Sequence, residues 1–167
     1  PTKMSPEPPL VRRLAAEGVG SFFLFATVIG SGIMAQNLSQ GNDAVALLGN
    51  TLATGAILFV LITMLGPISG AHMNPAVSLV AAARRELSWG DAAAYILAQF
   101  GFGILGAWAA HLMFGLPTLQ LSVKARTGLG QWAGETIATF GLILTIIGTA
   151  RHRPAALPAS VALYIVA

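Results

Sequence analysis

Ser69-Gly70-Ala71-His72-Met73-Asn74-Pro75-Ala76-Val77 decides how this chain is read. It follows an apolar run long enough to cross a bilayer, and it contains Gly, His, Asn and Pro, poor choices for continuing that run as a helix. Asn74 followed by Pro75 is a helix start. Asn caps free N–H groups, and Pro fits the first turn, where its missing N–H costs nothing. A polar loop and a new helix, beginning where a span ends, describe a re-entrant half-helix. Such backbone survives at membrane depth only where protein buries it or a water-filled cavity adjoins it. A pore or binding site is therefore the first expectation.

The composition agrees. Of 167 residues, 55% are hydrophobic and 9% are charged, and Gly is abundant at 19 residues, as membrane helix packing requires. This balance excludes a disordered chain and argues against a soluble domain. The net charge of +3 does not point to nucleic acid, because the nine Lys and Arg residues sit in short clusters between apolar runs. The absence of Cys removes disulfides, thiol catalysis and thiolate metal sites. No cleavable signal is recognised, since the first apolar run lacks a small-residue cleavage site. Pro1 is not read as a native start; Met4 or an upstream residue is.

A membrane helix needs roughly 20 apolar residues. Runs at about Leu10–Gln36, Ala44–Gly66, Asp91–Phe114 and Gln131–Ala150 meet or approach that length. A fifth begins near Ala155 and is still apolar at Ala167. The segment from Asn74 to Arg84 has 11 residues, about half a span. With the N-terminus in the cytoplasm, Lys3, Arg12, Arg13, Arg84, Arg85, Arg151 and Arg153 lie inside, and Lys124 and Arg126 lie outside. Seven against two is a clear positive-inside bias. It holds only if the Asn74 segment enters from the cytoplasm and returns there, so charge supports the re-entrant reading independently.

The chain also repeats itself. Glu17, Phe22, Leu24, Thr27, Ile29 and Gly30 match Glu135, Phe140, Leu142, Thr145, Ile147 and Gly148 without gaps. The second copy is three spans further on, an odd number, so it runs the opposite way, as in inverted-topology channels and transporters. The offset is 118 residues; applied to Asn74 it places a second half-helix near position 192, beyond Ala167.

These residues resemble the aquaporin, or major intrinsic protein, family. The match is to its first Asn-Pro-Ala signature (Ser69 to Val77, then Ser78 where Thr is usual), to Glu17 and Glu135 of the first and fourth helices, and to Ala98-Gln99 of the third. The resemblance implies an all-α membrane protein, an aquaporin-like inverted repeat with a re-entrant half-helix. Here that means four spans, one half-helix and the start of a fifth span. Residues 1–167 form a single partial channel domain, with the first repeat at about 10–114 and the start of the second at about 131–167. The second Asn-Pro-Ala, the Arg that follows it in the family, and the sixth helix are absent from the chain. The resemblance further implies a homotetramer in a bacterial inner membrane, multi-pass, with water and small neutral solutes as partners.

Asn74, Pro75 and Ala76 are then the pore motif. The carbonyl oxygen of Asn74 caps the half-helix while its NH₂ is free for a solute oxygen, and the half-helix dipole adds about half an elementary positive charge at the same depth. Together they orient solutes and disfavour protons and cations. Before the cap the backbone is expected to run extended, which Gly70 and Ala71 allow. The resemblance lines the pore with the carbonyls of Gly70, Ala71 and His72. Holding the loop is preferred for His72 over a gate or pH sensor. No metal site or other cofactor is expected, because no second His, Cys or carboxylate lies at ligand spacing. Glu17 and Glu135 are ionisable groups in apolar helices. Each is read as accepting bonds from a re-entrant loop rather than relaying protons, with Gln99 in the same network. Gly101, Gly103 and Gly106 are read as close helix contacts.

Thr54 is the clue to the solute. It lies twenty residues before Asn74, where the family places the second helix's share of its narrow filter. Strict water channels resemble one another in carrying a bulky aromatic there, and Thr is small. A wider filter suits polyols such as glycerol, or metalloid hydroxides such as arsenous acid. The Gly66-Pro67-Ile68-Ser69 lead-in and the Arg84-Arg85-Glu86-Leu87 exit resemble bacterial members linked to arsenite handling. The competing readings are a secondary transporter, which also uses inverted repeats and broken helices, and a truncated, non-conducting fragment. No nucleophile–base set or phosphate loop points to an enzyme.

Overall fold

A computed structural model describes residues 8–120 and 127–167. Lys3, Lys124 and Arg126 of the charge count lie outside the described residues. The described residues form six α-helices and no strand: α1 (Leu10–Leu38), α2 (Asp43–Ser69), α3 (Pro75–Ala83), α4 (Trp89–Met113), α5 (Leu129–His152) and α6 (Leu157–Val166). Of these, α1, α2, α4 and α5 are long and apolar enough to cross a membrane. The chain is a multi-pass membrane protein.

The helix ends follow local chemistry. α1 closes over Ser39, and the chain reverses through Gln40 and Gly41, both at positive φ. Asn42 then caps α2, its side chain accepting from Ala44 N and Val45 N, while Asp43 places a negative charge at the positive end of the helix. Ser88 does the same for α4, accepting from Asp91 N at 3.0 Å. α3 begins at Pro75 behind the Asn74 cap. A 3₁₀ turn at Pro154–Ala156 leads from α5 into α6.

α2 runs three residues beyond the expected end at Gly66, with Pro67 inside it. Proline's fixed φ suits a helix, and its missing N–H forfeits one bond in the last turns. The helix stops instead at Gly70, whose φ of 86° is left-handed and whose N–H reaches Gly66 O at 2.9 Å.

α1 lies between α2 and α4; α3 rests on α4; α6 fills the space between α2 and α5. The α1–α4 seam is close. A Cβ at Gly106 would collide with the backbone carbonyl of Phe22 and stand 3.1 Å from Ala26 N. Gly103 faces the Phe25 ring at 3.3 Å. Gly101 corrects the expectation for the three glycines: it is exposed and nothing lies within 4 Å of its Cβ position, because it is on the face of α4 turned from α1. The buried apolar core is built on Leu58, Leu61, Ile62 and Leu65 of α2, with Met73 before α3 and Val161 of α6 against them. Side chains such as Leu97, Leu112 and Ile137 are exposed, as suits a surface meeting lipid.

The seam yields a stability prediction. Gly106→Ala forces backbone apart and is expected to cost about 1–3 kcal/mol, read as a lower melting temperature in detergent. Gly101→Ala, with open space around it, should melt like the parent.

Candidate functional site

The site is built around a carboxylate with no exposure to solvent. Glu17, in α1, is fully buried. Its Oε1 accepts from Ser69 Oγ at 2.6 Å and His72 N at 2.9 Å, and its Oε2 accepts from Met73 N at 2.7 Å and Gln99 Nε2 at 2.9 Å. Four donors from three parts of the chain converge on one group. Ser69 Oγ in turn accepts from Ala71 N at 3.0 Å. Three successive loop N–H groups, those of Ala71, His72 and Met73, are thus satisfied by side chains.

The loop that makes this possible is not extended. Gly70, Ala71 and Met73 have φ of 86°, 49° and 44°, all left-handed. This corrects the expectation of an extended lead-in. Extended residues alternate their N–H groups to opposite sides, whereas a mixed-handed turn gathers them into an anion-binding concavity. Left-handed backbone strains Ala71 and Met73, and the bonds to Glu17 and Ser69 hold it.

No peptide bond in the described residues is cis. In a planar trans peptide the N–H and the preceding C=O point in opposite directions. Since the N–H groups of Ala71, His72 and Met73 face Ser69 Oγ and Glu17, the carbonyls of Gly70, Ala71 and His72 face away from them. Those three residues line a cleft of about 460 Å³. The fourth carbonyl in the run, that of Ser69, is taken by Tyr95 Oη, which donates to it at 3.1 Å.

Asn74 closes the loop. Its Oδ1 accepts from Ala76 N at 2.8 Å as the cap of α3, so its NH₂ is what remains for anything in the cleft. Ser78, one turn into α3, is fully buried and knits the loop to α4: Gln99 Nε2 donates to its Oγ at 3.0 Å, and His72 Nδ1 lies 3.1 Å from the same oxygen. The His72 ring also meets Tyr95 edge-on at 5.4 Å. Behind Tyr95, Arg13 pairs with Asp91 at 2.8 Å and its guanidinium lies 6.0 Å from the Tyr95 ring centre. An ion pair between the starts of α1 and α4 thereby backs the residue that holds the loop.

Thr54, His72, Asn74, Pro75 and Gln99 all line the cleft, with α5 and α6 supplying Leu142 and Val161 on the other side. Ala76 is not among the lining residues. Glu17 stands behind the loop. Glu135 is not brought to the site: it is exposed on α5 and makes no hydrogen bond among the described residues. No cluster of metal-ligating side chains occurs among the described residues. Sequence reasoning passed over Tyr95 and the Arg13–Asp91 pair. The four-residue spacing of Tyr95 and Gln99, on one face of α4, was the available signal for the first.

The sequence model of the Major intrinsic protein family matches residues 4–167. The chain belongs to this family. It is 54% identical over 158 residues to aquaglyceroporin AqpS of Rhizobium meliloti (strain 1021), covering 95% of this chain and 67% of that protein. It is 36% identical over 110 residues to the probable aquaporin NIP5-1 of Arabidopsis thaliana, covering 66% of this chain and 35% of that one. It is 33% identical over 144 residues to nodulin-26 of Glycine max, covering 85% and 52%. The chain therefore spans two thirds of the bacterial relative and about half or less of the two plant proteins.

Replacing Glu17 separates charge from shape. Glu17→Leu leaves Ser69 Oγ, His72 N, Met73 N and one hydrogen of Gln99 Nε2 without their acceptor, and roughly 1–3 kcal/mol for each unmet buried donor should abolish a folded, monodisperse protein on size exclusion. Glu17→Gln keeps one of the two acceptor oxygens and should retain more folding and flux than Glu17→Leu. Folding of both variants like the parent would show that the carboxylate does not hold the loop.

Proposed function

We propose that the full-length protein containing this chain is a passive, proton-excluding channel for water and small neutral solutes. The observation that carries this reading is the division of the loop's hydrogen-bonding groups. Its N–H groups are spent on Glu17 and Ser69. Its carbonyls at Gly70, Ala71 and His72 turn away, toward residues lining the cleft, and no hydrogen bond among the described residues claims them. The NH₂ of Asn74 and the N-terminus of α3 lie at the end of that row. A neutral hydroxyl can donate to the carbonyls and accept from Asn74, whereas a cation meets the positive end of a helix dipole. Glu17 and Gln99 are positioning groups for the loop, and Glu135 serves a repeat-related loop in the same way.

The inverted repeat supports a fold of two halves, residues about 10–114 and a second beginning at about 131. The arginines Arg12, Arg13, Arg84, Arg85, Arg151 and Arg153 support an N-terminus in the cytoplasm, in a bacterial inner membrane, and the proposed assembly is a homotetramer. Thr54 supports a filter wider than that of a strict water channel. The name of the bacterial relative, an aquaglyceroporin, accords with glycerol as one solute, and arsenous acid is a second of similar size and neutrality.

Liposomes containing the full-length protein should shrink faster than empty ones in an osmotic jump, with a low activation energy; equal rates overturn the channel reading. Thr54→Phe should reduce glycerol and arsenite flux more than water flux. Equal losses of all three would remove Thr54 from the filter.

A further inference from the structure

A second polar cluster lies in the membrane-spanning part, away from the Asn74 loop. Asn50 of α2 commits both amide hydrogens to α1: Nδ2 donates to Val28 O at 2.8 Å and to Ser31 Oγ at 3.0 Å. Ser31 Oγ donates onward to Val28 O at 3.3 Å. The approach depends on Gly32, where a Cβ would begin 3.3 Å from Asn50 Nδ2. On α2 itself, Thr54 Oγ1 donates to the carbonyl of Asn50 at 2.8 Å. A continuous run of hydrogen bonds therefore joins Thr54, through the backbone of Asn50 and its amide, to Val28. Thr54 and Val28 both line the cleft, from the neighbouring helices α2 and α1.

The cluster has two consequences. The hydroxyl hydrogen of Thr54 is committed to its own helix, so the side chain meets the cleft with a fixed rotamer, offering its methyl group and an oxygen lone pair but no donor. And the distance between α1 and α2 at this level is fixed by directional bonds rather than by apolar contact, which slides more readily. We propose that Asn50 is a positioning residue for solute selection: by fastening α2 to Val28 and Ser31 of α1, it sets the separation of Val28 and Thr54 and hence the size of solute that passes. This rests on the channel reading.

The test uses the full-length protein in liposomes and two readouts. The first is the ratio of glycerol to water permeability. Asn50→Leu removes the donors at similar volume and should change that ratio by about threefold or more, the scale of one interhelical hydrogen bond in a membrane protein. Ser31→Ala should shift it in the same direction by less, and the double variant should go no further than Asn50→Leu alone, since both act through one cluster. An unchanged ratio, or additive effects, overturns the proposal. The second readout needs no flux. Spin labels on cysteines at the exposed positions Met34 of α1 and Leu48 of α2 report the spacing of the two helices. Asn50→Leu should shift or broaden that distance by about 1–2 Å; an unmoved, equally narrow distribution overturns the proposal. Should the parent protein conduct neither water nor glycerol, the channel reading falls, and the label distances still decide whether Asn50 positions α1 against α2.

Discussion

The structure depends on one exchange between a carboxylate and a stretch of backbone, neither of which could be buried alone. An ionised group deep in a membrane protein is costly unless paired. So is a loop whose N–H groups meet no acceptor where water is absent. Glu17 and the Ala71–Met73 backbone answer each other's need. The pairing uses no cation; instead, the carboxylate is met by two backbone N–H groups, a hydroxyl and an amide. Neutral donors leave a net negative charge behind the loop, facing the concave side of the turn, which is where a nest of N–H groups concentrates positive potential.

That exchange explains why the helix packing is so close on one side. Gln99 reaches Glu17 from α4, and Ser78 reaches Gln99 from α3. For a side chain as short as Gln to bridge two helices and a half-helix, α1 and α4 must nearly touch, and the glycine at 106 permits contact with the Phe22 backbone. A larger residue there would widen the seam and lengthen the bond on which the loop rests. The Gln99 amide shows the same priority. It directs its nitrogen to two acceptors and leaves its buried oxygen without a partner among the described residues, a local cost accepted for the donors.

Local chemistry was legible in the sequence; pair geometry was not. Four long helices, one short one and the start of another follow from apolar runs bounded by Asn, Ser, Gly and Pro, and their limits fall within a few residues of the expected ones. The exception, α2, passes Gly66-Pro67 because tertiary packing tolerates one lost backbone bond. Asn74 and Pro75 declare a helix start through their own side chains. The left-handed positions at Ala71 and Met73 have no such marker, since both residues disfavour them and adopt them under the bonds to Ser69 and Glu17. The bonds from Tyr95 to Ser69, Arg13 to Asp91 and Asn50 to Val28 span 26, 78 and 22 residues. Nothing in a single sequence announces such pairs.

Glu17 and Glu135 occupy matching places in the repeat, yet only one of them is buried. The contrast isolates what confers the role. Both side chains lie on apolar helices and both offer the same two oxygens, so residue identity is not what differs. Glu17 has a turn of backbone whose N–H groups need an acceptor; Glu135, on a helix with little of its apolar stretch buried, has none among the described residues. The role of Glu17 therefore rests on the loop donors that converge on it. By the same reasoning, the carbonyl row at Gly70, Ala71 and His72 is a consequence of Ser69 and Glu17 rather than an independent feature. Once the N–H groups are drawn to one side by Ser69 Oγ and the carboxylate, planar trans peptides leave the oxygens no direction but the other.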